Sequence, residues 1–270
     1  MTLCPHTRID FDRAGPTGGT TVVLLHAGVA DRRMWEPQWA ALTSRHDVVR
    51  LDLRGFGGSV SRPAADRLAH HDDVVETLSR LGIDRAHLVG CSLGAGVAVD
   101  VALASPGMVA SLLLVTPGGS LIPEMTPELR RFVDAENEAM RRGDVDAAVA
   151  ANLDWWVDGP HRAADEERSE IRALVAVMQR RAFELTADWD DVEEVELAPP
   201  AVDRLGELDV PALVLTGGLD LDAIGIAGEA VAAGIPGARR EVWPDTAHLP
   251  SLERPDDFRA LLDRWLPDVG

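Results

Sequence analysis

Residues 86–104 read AHLVGCSLGAGVAVDVALA, and this stretch decides the fold. The first part, 86–90, is a short apolar run with the character of a buried strand. The last part, 93–104, is rich in Ala, Val and Leu and reads as a helix. Between them Gly90-Cys91-Ser92-Leu93-Gly94 matches G-x-S-x-G, the pattern of a serine carried on a sharp strand-to-helix turn. So tight a turn strains the serine backbone, and a glycine two residues to either side lets neighbouring backbone come close. The Ser92 hydroxyl is thereby presented at the top of a sheet, where the N-terminus of the following helix favours developing negative charge. Five residues of this pattern arise easily by chance. The strand before and the helix after are what make Ser92 a candidate nucleophile.

Working outward, 20–26 (TTVVLLH) and 48–53 (VVRLDL) are further buried strands, the second followed by the glycine-rich turn 54–59 (RGFGGS). Residues 72–81 carry Val74, Val75, Leu78 and Leu81 at helical spacing, and 109–115 is another strand. Strands alternating with helices at this pace predict a mostly parallel sheet with helices on both faces. From about residue 122 the strands stop. Residues 128–142, 145–157 and 166–185 are amphipathic helical stretches, and Pro199-Pro200 ends the series. Alternation resumes with a strand at 210–217, a helix near 228–233, a strand at 239–243 and a last helix at 256–265. The expected organisation is a core formed by 1–120 and 205–270, interrupted by a helical cap at 121–204. An insertion between two strands leaves the sheet at one edge and is placed to become a lid.

A serine hydroxyl needs a base. Of the eight histidines, His248 lies in the loop 244–250 (PDTAHLP) between a strand and the last helix, where it can reach a nucleophile across the top of the sheet. The base needs an orienting carboxylate. Asp220, at the end of the strand 210–217, is the candidate, with Asp222 the alternative two residues on. The order Ser, Asp, His along the chain is the one expected for this architecture. Donors for a tetrahedral oxyanion are expected from the backbone N–H groups of Leu93 and Gly28, with His26 in a structural hydrogen bond. His70 and His71, beside Asp72 and Asp73, are read as a solvated helix terminus, because adjacent helical side chains point apart and do not share a metal. No metal and no cofactor are expected.

Composition narrows the classes. With 46% hydrophobic and 26% charged residues the 270-residue chain is ordinary globular material. A net charge of −19 disfavours nucleic acid and anionic membranes as partners. Every basic residue is Arg and there is no Tyr, so neither a Schiff-base lysine nor a tyrosine acid or base is available. Two cysteines, Cys4 and Cys91, are expected as reduced thiols. Residues 1–12 carry no apolar signal-like core, and no run is long enough to span a bilayer, so a cytoplasmic location is expected. The sequence is silent on oligomeric state.

These residues together resemble the α/β-hydrolase superfamily over nearly the whole chain outside the helical insertion. His26-Ala27-Gly28 resembles its oxyanion turn, with Ala27 where glycine is usual. Asp52-Leu-Arg-Gly-Phe-Gly-Gly-Ser59 resembles its D-x-R-G-x-G-x-S turn. Ala247-His-Leu-Pro-Ser-Leu-Glu-Arg-Pro255 resembles the segment bearing the histidine in 3-oxoadipate enol-lactonases and small carboxylesterases. The resemblance implies a cofactor-independent serine hydrolase that cleaves a small ester or lactone through an acyl-enzyme. The same residues would also serve a cofactor-free perhydrolase, a C–C bond hydrolase, or a non-catalytic ligand-binding receptor. C–C hydrolases of this type usually carry Trp where this chain has Leu249. For a substrate pocket the sequence offers Val29, Met34, Trp35, Trp155, Trp156 and Leu249, and Met125, Met140, Met178 and Trp189 add apolar bulk nearby.

Overall fold

Five-to-seven-residue runs such as TVVLL (21–25) and VASLLLV (109–115) have apolar side chains on both faces, which suits strands covered from both sides. In the computed structural model, which describes residues 2–3 and 9–266, they form the centre of an eight-stranded sheet. The strands are β1 (Thr2–Leu3), β2 (Asp10–Ala14), β3 (Thr21–Leu25), β4 (Val48–Leu51), β6 (Ala86–Cys91), β7 (Val109–Val115), β9 (Ala212–Gly217) and β10 (Arg239–Trp243). Their order is β1-β2-β4-β3-β6-β7-β9-β10. The pairs from β4 to β10 are parallel, and β1 and β2 add an antiparallel edge. Separately, β5 (Arg67–Leu68) pairs with β8 (Glu193–Glu194). The antiparallel edge was not expected, because β2 (DFDRA) is polar and lacks the apolar signature of the inner strands.

The period of two along a strand divides the core into two layers. Val22 and Leu24 of β3 face one layer, and Val23 and Leu25 face the other. Helices cover both: α1 (Glu36–Thr43), α8 (Pro250–Glu253) and α9 (Pro255–Trp265) on the first, α2 (His70–Arg80), α3 (Leu93–Ala104) and much of α7 (Asp222–Gly234) against the second. Between β7 and β9 the chain forms α4 (Pro127–Arg141), α5 (Val145–Asn152) and α6 (Ser169–Leu185), with a π-helical turn at Leu153–Asp158. Among the described residues, no helix is long and apolar enough to cross a membrane.

The chain passes from β3 to β4 on one side and then to β6 on the other. This reversal opens a crevice at the carboxyl ends of β3 and β6, where ligands bind in open parallel sheets. His26 and Ser92 stand at those two ends. Two expectations need correction or limits here. His70 and His71 are not solvated: both are buried at the start of α2, and burial pushes His70 down to about 3. Helix α2 packs against α3, and His70 and His71 line a small pocket with Glu194 of β8, which the local sequence gives no hint of. Cys4 lies outside the described residues.

Candidate active site

Ser92 has φ 53° and ψ −114°, a left-handed conformation that costs a non-glycine residue on the order of 1–3 kcal/mol. The glycines of the pentapeptide show why the turn closes so tightly. A Cβ at Gly90 would lie 2.2 Å from the Gly94 carbonyl oxygen, and one at Gly94 would lie 2.4 Å from that of Leu25. The Ser92 N–H donates to Val115 O at 2.9 Å, fixing the turn to β7. Gly118, just beyond β7, approaches so closely that a Cβ there would sit 2.8 Å from Ser92 Oγ. Cys91 points the other way, into the core, and burial pushes its thiol up to about 12. It is a packing residue.

His248 and Asp220 meet across two loops that leave β10 and β9. His248 Nδ1 lies 2.7 Å from Asp220 Oδ2, and an ionised carboxylate only accepts, so the ring nitrogen donates. The other oxygen, Oδ1, accepts from Leu221 N at 2.8 Å. Both side chains are buried. Asp222 is engaged elsewhere: its Oδ1 accepts from Thr126 Oγ1 at 2.6 Å and from Ala223 N at 2.7 Å.

The histidine loop is held at three points. Leu219 N donates to Thr246 O at 2.9 Å. Glu253 Oε1 accepts from Ala247 N at 2.8 Å while its Oε2 pairs with Arg162 at 2.7 Å. Thr116 Oγ1 donates to His248 O at 3.0 Å from a residue itself in a left-handed conformation, φ 42°. Sequence reading missed Thr116, which nothing local distinguishes.

The turn after β3 is built around His26. Its Nδ1 donates to Ala27 O at 2.8 Å and its Nε2 accepts from Leu53 N at 2.9 Å, so full burial lowers its proton affinity and keeps it neutral. Asp52 reinforces this arrangement. Its carboxylate accepts from Arg32 N at 2.8 Å and Gly58 N at 2.7 Å and pairs with the Arg32 guanidinium. Ser59 Oγ donates to Asp52 O at 2.7 Å. The D-x-R-G-x-G-x-S turn is therefore a brace for the β3 turn. Gly28 is thereby brought beside Leu93, whose Cβ would be 3.7 Å from a Cβ at position 28.

A cavity of about 220 Å³ opens above these groups, and Ser92, His248, Gly28 and Val29 line it from the sheet side. Phe132 of α4 and Trp156 of the π-helical turn line it from above. The Trp156 and His248 rings lie 4.4 Å apart, centroid to centroid. Ser92 Oγ makes no hydrogen bond to His248 among the described residues, a contact that catalytic sites often complete only around substrate. A larger cavity, about 580 Å³, lies beside Arg33 and Arg181 but holds no nucleophile.

Of the six pocket residues expected from sequence, Val29 and Trp156 line the cavity. Met34, Trp35 and Leu249 are fully buried away from it. Met34 Sδ sits behind the turn, 3.3 Å from Ala27 N, and Trp35 packs on Phe258. Trp155 lines a different pocket with Asp154 and Asp158. Consecutive residues in a helical turn point in different directions, so Trp155 and Trp156 part company. The sequence also missed three polar lining residues, Glu136 of α4, Asn152 of α5 and Gln179 of α6. Gln179 and Asn152 leave a trace, as amides among the apolar residues on the buried faces of α6 and α5.

A model of the alpha/beta hydrolase family matches residues 22–261. A putative carbamate hydrolase, RutD, of Caulobacter vibrioides is 32% identical over 207 residues, covering 71% of this chain and 76% of that one. Among solved structures, Est816, an N-acyl homoserine lactone degrading enzyme, superposes with TM-score 0.75 at 27% identity, covering 96% of this chain and 97% of that one. The enol-lactonase of Burkholderia xenovorans LB400 also has TM-score 0.75, at 24% identity and 95% coverage of each chain, a likeness of fold. This chain belongs to the alpha/beta hydrolase family.

Proposed function

We propose that the protein hydrolyses a small carboxylic ester or lactone, with Ser92 as nucleophile, His248 as general base and acid, and Asp220 as its orienting carboxylate. The observation that carries this reading is the 2.7 Å His248–Asp220 bond, made by a histidine that lines the same cavity as Ser92. The Asp220 contact holds His248 as the Nδ1–H tautomer, which leaves Nε2 with a lone pair. Ser92 Oγ attacks the carbonyl carbon as Nε2 takes its proton. The oxyanion accepts from the N–H groups of Leu93 and Gly28, aided by the N-terminus of α3. The tetrahedral intermediate collapses and the imidazolium gives its proton to the leaving alkoxide. Water then repeats the sequence on the acyl-enzyme, releasing the carboxylic acid and restoring Ser92.

The small cavity supports a small substrate, since it lies below the roughly 300–1,000 Å³ of drug-sized sites. Residues 121–204 act in this reading as the cap. The lactone half draws on the lactone-degrading structural neighbour, and the carbamate hydrolase relative is also named for cleavage at a carbonyl. The test is a panel of short esters and lactones offered to wild type and Ser92→Ala. Turnover by wild type that vanishes in the variant is expected. Turnover that persists in the variant, or no wild-type turnover with saturable ligand binding, overturns it.

A further inference from the structure

The helical wall of the Ser92 cavity holds unpartnered hydrogen-bond acceptors and a carboxylate that, among the described residues, meets no cation. Asn152 Nδ2 donates both its protons inside the wall, one to Glu136 Oε2 and one to Ala148 O at 3.0 Å. Because both partners are acceptors, the amide orientation is fixed and Oδ1 remains an open acceptor. Gln179 is 5% exposed, and its Oε1 is buried without a partner. Glu136 forms no ion pair among the described residues, and its one side-chain partner is the neutral Asn152 amide. Burial raises its pKa, with no cation to oppose the shift. Phe132 and Trp156, whose ring centroids are 5.0 Å apart, complete this wall.

An unpaired carboxylate in a partly dehydrated site is costly unless a positive partner arrives. A primary ammonium brings three N–H donors and a charge, and aromatic rings beside it add cation–π attraction. We propose that Glu136, Asn152 and Gln179 form a subsite for a primary ammonium group carried by the substrate, so that the preferred substrates are small amino esters. The proposal rests on the ester-hydrolase reading above. It assigns to the three helices between β7 and β9 the choice of substrate, while Ser92 and its partners act on the carbonyl.

Three isosteric esters test it: ethyl 3-aminopropanoate, ethyl 3-hydroxypropanoate and ethyl butanoate, followed by acid release at pH 7. Wild type is expected to favour the ammonium ester in kcat/KM over the alkyl ester by about ten-fold or more. Glu136→Gln should shrink that ratio by about ten-fold, and Gln179→Leu should shrink it by a smaller factor. Equal rates for the three esters, or a preference for the hydroxy ester, overturn the ammonium subsite while leaving the hydrolase reading intact. A separate arm needs no turnover: calorimetric titration of wild type and both variants with propylammonium and with 1-propanol. Propylammonium should bind wild type more tightly than 1-propanol, with the difference lost in Glu136→Gln. Binding of the two alike by wild type overturns the subsite even if no ester is cleaved, whereas a failed ester panel beside selective propylammonium binding counts only against the hydrolase reading.

Discussion

The cavity above Ser92 has a sheet wall and a helix wall, and the two are built on different principles. On the sheet wall nearly every polar group is already satisfied by protein: His248 by Asp220, Asp220 by Leu221, the His248 carbonyl by Thr116, the Ala247 amide by Glu253. Positions there are set by backbone that cannot move without breaking strand pairing. On the helix wall the polar groups of Glu136 and Gln179 are left with capacity to spare. A wall whose supporting groups are hydrogen-bonded within the protein holds the reacting atoms in register, and a wall with unspent side-chain capacity can select what enters. In the proposed reading, chemistry and selectivity are thus carried by separate parts of the chain.

Perturbing the sheet wall should therefore destroy rate, with the largest losses nearest the nucleophile. Ser92→Ala should lower kcat by about 10⁶-fold on any substrate, as loss of the nucleophile does in serine proteases. Asp220→Asn keeps the geometry but favours the wrong histidine tautomer, so a fall of about 10⁴-fold is expected. Asp222→Asn should cost far less, because that carboxylate binds Thr126 and its own helix start. A larger loss at Asp222 in the same kinetic assay would reverse their assignments and dissolve the contrast between the walls.

Gly118→Ala is a finer probe. The new methyl would press on Ser92 Oγ at 2.8 Å while the backbone, at φ −136°, accepts alanine. Displacement of the nucleophile by a fraction of an ångström should lower kcat by about 10²-fold with the melting temperature little changed. Unaltered kcat would show that Ser92 tolerates movement and that the sheet wall is less rigid than its hydrogen bonds imply.

The smallest effect concerns the seam where α3 meets the β8 segment. Asp100, Glu194 and Glu196 line one small pocket there, and burial with the neighbouring carboxylates pushes Asp100 up to about 7. Glu194 is raised by the same two causes. Between the ordinary aspartate value of 3.8 and about 7 the folded chain keeps a proton that the unfolded chain has lost. Stability contributed by this group is accordingly greatest at the acid end of that window and declines as pH rises toward 7. Melting temperature measured across pH 5 to 8 should fall by a few degrees from this source, and Asp100→Asn should flatten the curve. A slope unchanged in the variant would assign it to other groups.

How much of this was readable beforehand differs between the walls for a physical reason. The β6–α3 elbow was legible because its geometry is local. Glycines at 90 and 94 are demanded by backbone contacts that any side chain would violate, so the pattern survives in one dimension. The meeting of His248 and Asp220 was legible because each lies in the loop that follows a strand, and strand ends in a parallel sheet gather at one rim. Met34, Trp35 and Leu249 misled because apolar bulk near a motif serves the core as readily as a pocket. His70 and His71 misled because their burial depends on tertiary packing of α2 against α3, which the adjacent sequence does not encode.

By itself, then, the sequence determined the parallel architecture, the tight strand-to-helix turn at Ser92 and the strand-end placement of Asp220 and His248, all of which follow from local periodicity and backbone sterics. Tertiary structure alone decided which carboxylate meets His248, which of two adjacent tryptophans faces the site, and that Glu136, Asn152 and Gln179 share one cavity. Those three lie on separate helices, and no pairwise spacing encodes their meeting. The packing of the three helices against one another does, and that packing is set by contacts along their length.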